Sequence, residues 1–267
     1  MKLTMLGTGN ATAIHCYNTC FTLSNEKGYF LVDAGGGNQI LKILDEEKIE
    51  LSDIHDIFVT HGHTDHLLGI IWMIRMIGTK IYRGFYEGDL RIFCHKELEE
   101  IIRNICNLTI WGNVTRQFDQ RIHFINIEDE KEQKILGCQV KFFDIQSTKM
   151  KQFGFFMTTP DGSSLVCCGD EPLREDTEKF ARECDWLLHE AFCMYEDREY
   201  FKPYEKHHST VKDACEMAEH LGVKNLILYH TEDKNMAERK ERYLAEGTQF
   251  YSGHLFVPYD REVFEIV

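Results

Sequence analysis

The stretch IHDIFVTHGHTDHLLGIIWMI, residues 54–74, places four potential metal ligands, His61, His63, Asp65 and His66, within six residues. Ile54 to Thr60 before them reads as an apolar strand, and His66 to Ile77 after them is apolar on nearly every face, as a helix buried between layers would be. The ligands therefore fall at a strand-to-helix junction. His61 and His63, two apart in an extended turn, can converge on one ion, while Asp65 and His66 at the helix start can face a second. A pair of ions suits hydrolysis, because one lowers the pKa of a bridging water and both stabilise oxyanion charge. Imidazole beside carboxylate suits Zn²⁺, one ion or two, with Mn²⁺ or Fe²⁺ as alternatives.

Outward from this junction, strands and helices alternate. Toward the N-terminus, Leu3 to Leu6, Cys20 to Leu23 and Tyr29 to Asp33 are strands parted by Gly and Asn, and Gln39 to Glu47 has helical spacing. Toward the C-terminus, strand Arg91 to Cys94 and helix Lys96 to Leu108 repeat the order. Strands then follow at Ile122 to Ile127, Gln139 to Ile145, Phe153 to Thr158, Ser164 to Cys168, Asp185 to His189 and Asn225 to Tyr229. The later helix is well delimited: Thr210 with Asp213 makes a capping pair, Val211, Ala214, Ala218 and Leu221 share a face, and Gly222 stops it. The polar stretches Glu128 to Lys134 and Tyr195 to Lys206 look least ordered. No repeat or linker divides the chain, so one domain over residues 1–267 is expected, an α/β sandwich with helices outside two packed sheets.

Composition limits the partners. The 267 residues are 43% hydrophobic and 28% charged, which excludes a disordered or fibrous chain. Thirty basic against forty-four acidic residues give −14, so no long-range positive field attracts nucleic acid or an anionic membrane. A polyanion must be held locally, and Lys149, Lys151, Lys202 and Lys206 can form a small basic lip. The apolar run at Trp72 is broken by Arg75 and ends at Gly78, too short to span a bilayer, and the N-terminus lacks a signal-peptide core; a cytoplasmic protein is expected. The ten cysteines are scattered without CxxC pairs and read as reduced thiols, mostly in the core. Gly7-Thr8-Gly9 and Gly35-Gly36-Gly37 read as turns rather than phosphate loops, and His15 and Asn18 as a surface histidine and a turn asparagine.

HGHTDH after an apolar strand resembles the HxHxDH signature of the metallo-β-lactamase fold superfamily. The resemblance implies a four-layer αββα sandwich of two mixed β-sheets packed face to face with helices outside. Val32-Asp33-Ala34-Gly35 resembles the strand end whose Asp braces the metal loop. Cys168-Gly169-Asp170 resembles the later Gly-Asp that bridges two metals, and Leu226 to His230 the final strand ending in a metal His. His189-Glu190-Ala191-Phe192 and His208-Ser209-Thr210 further resemble motifs of ribonuclease Z, the tRNA 3′-end endonuclease. That resemblance implies His61, His63, Asp65, His66, Asp170 and His230 as metal ligands, His208 as proton donor to the leaving oxygen and Glu190 as the carboxylate orienting it, with Asp65 able to share proton handling. The chemistry agrees, since phosphodiester cleavage needs an acid of near-neutral pKa opposite the attacking hydroxide. A phosphodiester substrate, RNA or a small nucleotide, and a homodimer are implied in the same way.

Two departures stand out. The family supplies another metal His before Gly-Asp, and here Gln146 or Thr148 stands where it is expected, so the ion of His61 and His63 should be weakly held or absent. A dinuclear enzyme with one soft site, a mononuclear enzyme using Asp65, His66, Asp170 and His230, and a catalytically silent relative all remain open. The first is preferred, because His61, His63 and Asp170 still offer three ligands. Ribonuclease Z proteins also carry a long tRNA-gripping arm in this region, and Lys149 to Cys167 has no room for it. A smaller phosphodiester, a cyclic nucleotide or a short oligonucleotide, is physically easier. Competing readings are a thioester, lactone or lactam hydrolase on the same fold and a non-catalytic metal-stabilised binding protein.

Overall fold

The computed structural model describes residues 1–266. Strands β1 (Lys2–Gly7), β2 (Cys20–Asn25), β3 (Gly28–Val32), β4 (Ile54–Phe58), β5 (Leu90–Cys94) and β6 (Ile122–Asn126) lie side by side in chain order in a first sheet. A second sheet runs from β7 (Glu132–Ile135) through β8 (Cys138–Asp144), β9 (Phe153–Thr158), β10 (Ser164–Cys167), β11 (Trp186–Glu190) and β12 (Asn225–Tyr229) to β13 (His254–Phe256). The last strand, β14 (Val263–Glu265), returns to pair antiparallel with β1, so each sheet has seven strands.

Alternation along the strands sets the layers. Leu3, Met5, Phe30, Phe58 and Phe93 of the first sheet meet Phe142, Phe155, Leu165 and Ile227 of the second in the space between. Phe58 is central: its ring centre lies 4.8 Å from Phe142 and 5.9 Å from Phe155. Truncating such a buried Phe typically costs about 3–5 kcal/mol. The intervening residues Leu31, Ile57 and Ile92 face outward onto α1 (Gln39–Glu46), α2 (Thr64–Tyr82) and α3 (Lys96–Thr109). On the far side, Val166, Leu187, Leu226 and Leu228 pack beneath α7 (Val211–Leu221) and α8 (Met236–Gly247). The short helices α4 (Gly112–Thr115), α5 (Glu178–Ala181) and α6 (Arg198–Phe201) fill connections. Three apolar layers between four structural layers make the αββα sandwich that the resemblance implied.

Several details differ from the sequence reading. Helix α2 is not enclosed between layers: Leu68, Trp72 and Met76 are each more than a third exposed along its outer face. Part of the stretch Glu128 to Lys134, which looks least ordered in the sequence, lies in the edge strand Glu132–Ile135 paired with β8. The stretch Tyr195 to Lys206 contains α6 and a single 3₁₀ turn at Tyr204–Lys206. Thr210 does form the reciprocal capping box with Asp213, and Gly222 ends α7 at φ 67°. All ten cysteines are free, and all but Cys16 are buried. No helix is long and apolar enough to cross a membrane among the described residues.

Parallel pairing positions the chemistry. β3, β4 and β5 run parallel with Val32, Phe58 and Phe93 level, and β10, β11 and β12 run parallel with Cys167, Leu188 and Ile227 level, so neighbouring strands end close together. The loops beyond those carboxyl ends meet at one rim, where open α/β sheets generally place their ligands. Helix α2 is drawn close to that rim by Gly69, where a Cβ would lie 1.7 Å from the Ala34 carbonyl oxygen.

Candidate metal centre

Asp33 leaves β3 in the left-handed region at φ 54°, and His230 leaves β12 at φ 56°. Non-glycine residues hold such conformations at a cost of order 1–3 kcal/mol, so the surrounding bonds must fix them. At Asp33 those bonds are visible. Its carboxylate accepts from Thr60 N (2.9 Å), Thr60 Oγ1 (2.7 Å) and His66 Nδ1 (2.7 Å). Having donated to Asp33, the Thr60 hydroxyl is left as acceptor for His61 Nδ1 at 2.9 Å. Both imidazoles therefore donate from Nδ1 and turn Nε2 inward, the arrangement by which supporting groups orient histidines for a metal. The structure thus places Asp33 behind the loop, touching two of its residues.

Inside, the donors converge on one carboxylate oxygen. Asp170 Oδ2 lies 3.5 Å from His61 Nε2, 3.9 Å from His66 Nε2 and 3.7 Å from His230 Nε2. Asp65 Oδ2 lies 3.4 Å from His66 Nε2 and 3.5 Å from His230 Nε2. His63 Nδ1 sits 2.8 Å from His61 Nε2 and is the half-buried member facing the cleft. His66 Nε2 and both ring nitrogens of His230 are buried without a hydrogen-bond partner. Buried polar atoms are seldom left so, and their clustering with two carboxylates fits a divalent cation. Donor atoms of His61, His66 and Asp170, and of Asp65, His66 and His230, form two overlapping groups each spanning less than 4.8 Å, which suggests divalent-metal binding.

Electrostatics describe the same strain. Burial works against charge on Asp65 and Asp170, yet the neighbouring histidines hold both carboxyls well below their ordinary range. Burial pushes His61 well below its ordinary pKa, and His63 down as well. For His66 burial acts in the same direction, but Asp65 and Asp33 outweigh it and raise it.

The second group of candidate residues borders this cluster. Glu190, fully buried at the end of β11, accepts from Ser209 N and from Ser209 Oγ (2.7 Å) through Oε1. Its other oxygen stands 3.5 Å from His208 Nδ1, facing it beyond firm bonding distance. His208 stacks on Phe192 at 4.9 Å, and its ligand atom lies within 4.8 Å of those of Asp170 and His230. An open cleft of about 510 Å³ exposes this arrangement, lined by His63, Asp65, Asp170, His208 and His230 together with Asn10, Thr12, Phe192, Lys149 and Lys206.

The structure sorts the remaining candidates. Of the four lysines, only Lys149 and Lys206 line the cleft, Lys206 over the Phe192 ring at 4.7 Å. Lys151 and Lys202 turn to Glu97 and Glu199. Gln146 is exposed, in a left-handed turn at φ 59° whose N–H bonds to Asp144 Oδ1, and Thr148 is exposed beside His207. Neither stands in the cluster, because the turn after β8 swings them outward. A residue that sequence reasoning passed over, Gln152, is fully buried against Asp170 instead. His15 and Asn18 border a separate depression beside Gly36 and Asp260.

A cluster of histidines and aspartates at the carboxyl ends of two facing mixed sheets, within an αββα sandwich, defines a metal-dependent hydrolase of the metallo-β-lactamase fold, ribonuclease Z-like in its motifs. The model of the family described as anti-Pycsar protein Apyc1 matches residues 1–251, and the chain belongs to that family. Ribonuclease Z of Thermococcus sibiricus is 26% identical over 305 aligned residues, covering 98% of this chain and 95% of the relative. That alignment is longer than this chain of 267 residues, so the relative carries segments that are missing here. Among solved structures, the metallo-β-lactamase fold protein YhfI from Bacillus subtilis has TM-score 0.79 at 16% identity, over 98% of each chain. Human tRNase Z, short form, has TM-score 0.76 at 21% identity, over 100% of each chain. These two likenesses concern the fold.

Proposed function

We propose that this protein is a divalent-metal phosphodiesterase acting on a small phosphodiester, a cyclic nucleotide or a short oligonucleotide, rather than on precursor tRNA. The observation that carries the reading is His208, which faces the buried Glu190 carboxylate and lines the same cleft as Asp65, Asp170 and His230 of the His/Asp cluster. His61, His63 and Asp170 would hold one ion, and Asp65, His66, Asp170 and His230 a second; imidazole with carboxylate favours Zn²⁺, with Mn²⁺ or Fe²⁺ as alternatives. Bound there, such ions supply Lewis-acid charge and lower the pKa of water.

The chain's own residues do the rest. Lys149 and Lys206 attract and orient the phosphate, which matters in a protein of net charge −14. His208 holds a proton toward the leaving oxygen while Glu190, itself fixed by Ser209, keeps the imidazole oriented. A cleft near 510 Å³ suits a nucleotide, and two lining lysines are far short of what a folded RNA requires. A cytoplasmic location belongs to the same reading, as does a homodimer, for which the exposed stripe Leu68, Trp72 and Met76 is a suitable surface.

The test is turnover of protein loaded with Zn²⁺ or Mn²⁺ on a panel of 3′,5′-cyclic nucleotides, bis(p-nitrophenyl) phosphate, precursor tRNA and an uncharged lactone. Metal-dependent hydrolysis of the small phosphodiesters, with little action on precursor tRNA, is expected. Hydrolysis confined to the lactone would assign the fold to acyl chemistry, and no turnover of any substrate at full metal occupancy would leave a binding protein.

A further inference from the structure

We propose that Gln152 is a positioning residue for Asp170, selecting which carboxylate oxygen the two halves of the metal centre share; this rests on the metal reading above. Gln152 is fully buried. Its Oε1 accepts from Asp170 N at 2.7 Å, and its Nε2 donates to Asp170 Oδ1. The backbone N–H fixes the amide's orientation, since only the oxygen can face it and the NH₂ must then face the carboxylate. With Oδ1 occupied, Oδ2 is the oxygen left for the cluster, and it is Oδ2 that lies within 4 Å of His61, His66 and His230.

Two further observations show that the contact is built. Gly169 adopts φ +77°, and a Cβ there would lie 2.1 Å from Gln152 Oε1, so a glycine makes room for the amide. The Gln152 backbone is tied as well: Ile145 N donates to its carbonyl at 3.1 Å, and Phe153 N donates to Thr60 O at 3.1 Å, next to His61. Gln152 thus belongs to the loop in which the expected third histidine is missing. A site left with His61, His63 and Asp170 depends more on the direction of that carboxylate than a site with four ligands, and outer hydrogen bonds of this kind are typically worth 10–100-fold in metal affinity.

The experiment loads wild type, Gln152→Met and Gln152→Asn with Mn²⁺ and reads stoichiometry by chelator competition, spin coupling by electron paramagnetic resonance, and melting of the metal-free proteins. Methionine keeps the volume and removes both polar atoms; asparagine keeps the amide but withdraws it from Asp170. Wild type should bind two Mn²⁺ with an exchange-coupled spectrum. Both variants should hold the second equivalent about 10–100-fold more weakly and show isolated Mn²⁺ at one equivalent, while keeping the first. A purely structural role would lower metal-free melting and leave the coupled spectrum of the loaded protein unchanged. A wild type without a coupled pair overturns the two-ion reading and this proposal together. Two tightly held, coupled ions in either variant overturn the proposal alone.

Discussion

His208→Gln is the substitution that weighs most on the functional reading. Glutamine retains bulk against Phe192, whose ring stacks on His208 at 4.9 Å, and it removes the titratable proton. Glu190 gives one oxygen to Ser209 and turns the other to His208 Nδ1 at 3.5 Å, so the opposite ring nitrogen is the one free to meet substrate. A positioned acid of this kind is worth about 100- to 10,000-fold, or roughly 3–5 kcal/mol of barrier. The size of the loss should depend on the leaving group. A ribose alkoxide leaves poorly without a proton, so a cyclic nucleotide should lose the full factor in kcat/KM. A p-nitrophenolate leaves as a stabilised anion, and bis(p-nitrophenyl) phosphate should lose about tenfold or less. Steady-state kinetics on both substrates, with elemental analysis of the same samples, decides the matter. Equal losses on the two substrates would refute the proton-donor role. Loss of metal from the variant would instead make His208 a ligand, a role its closeness to Asp170 and His230 permits.

Three other perturbations probe separate parts of the design. Asp33→Ala strips the acceptor from Thr60 N, Thr60 Oγ1 and His66 Nδ1; at about 1–3 kcal/mol per stranded buried group, the metal-free protein should lose several kcal/mol in urea titration, and a loss under 1 kcal/mol would contradict the bracing role. Lys206→Ala should raise KM for a cyclic nucleotide several-fold, more at low salt, with kcat within about threefold; a change in kcat alone would place Lys206 in the chemical step. The pH dependence of the metal-free protein near neutrality follows from histidines with opposite shifts. Burial lowers His61 below the ordinary value near 6.5, so unfolding takes up a proton and stability falls as pH drops below about 6.5. For His66 burial is outweighed by Asp65 and Asp33, so its extra stability is complete below about 6.5 and is lost as pH rises through its raised folded value. The alkaline limb has a limiting slope of about 1.4 kcal/mol per pH unit, and the acid limb, to which the lowered His63 and His95 also contribute, is steeper, placing maximum stability near pH 6.5. Saturating Zn²⁺ should abolish the alkaline limb, because His66 must shed its proton to bind. Urea midpoints that rise steadily from pH 6 to 8 without metal would refute these assignments.

Legibility in the sequence followed how local each signal is. HGHTDH packs its donors into one loop, and Thr210, Asp213 and Gly222 announce both ends of α7 within a dozen residues. The inner strands announced themselves by apolar content. Helix α8 did not: its buried face is made of Arg239, Tyr243 and Gly247, which gives no apolar periodicity to detect. The Arg239 guanidinium spends its donors on Thr8, Thr231 and the Pro258 carbonyl, a role set by partners far along the chain. Strands β13 and β14 have three residues each and exist through their neighbours. Gln146 illustrates the converse. Counting along the chain put it where an imidazole was missing, but the left-handed turn at that residue points it to solvent, and the buried amide belongs to Gln152, which meets Asp170 from 18 residues away.

That distance shows how a chain without the third histidine can still gather a His/Asp cluster. The first sheet supplies Asp33 and the loop carrying His61, His63, Asp65 and His66, whereas the second supplies Asp170, Glu190 and His230. Few backbone bonds join the two halves beside the site: Asn10 N to Thr231 O at 2.9 Å, Thr231 N to Thr8 O at 3.0 Å, and Phe153 N to Thr60 O at 3.1 Å. Each flanks a residue of the cluster or of the cleft lining, so the clustered side chains are brought to register by backbone rather than by one another. A metal held by His61 and His63 from one sheet and Asp170 from the other would then fasten halves already aligned, and the ordering cost usually charged against ligand binding is largely met in folding. Under that arrangement a metal centre would tolerate one missing imidazole, provided the shared carboxylate stays aimed.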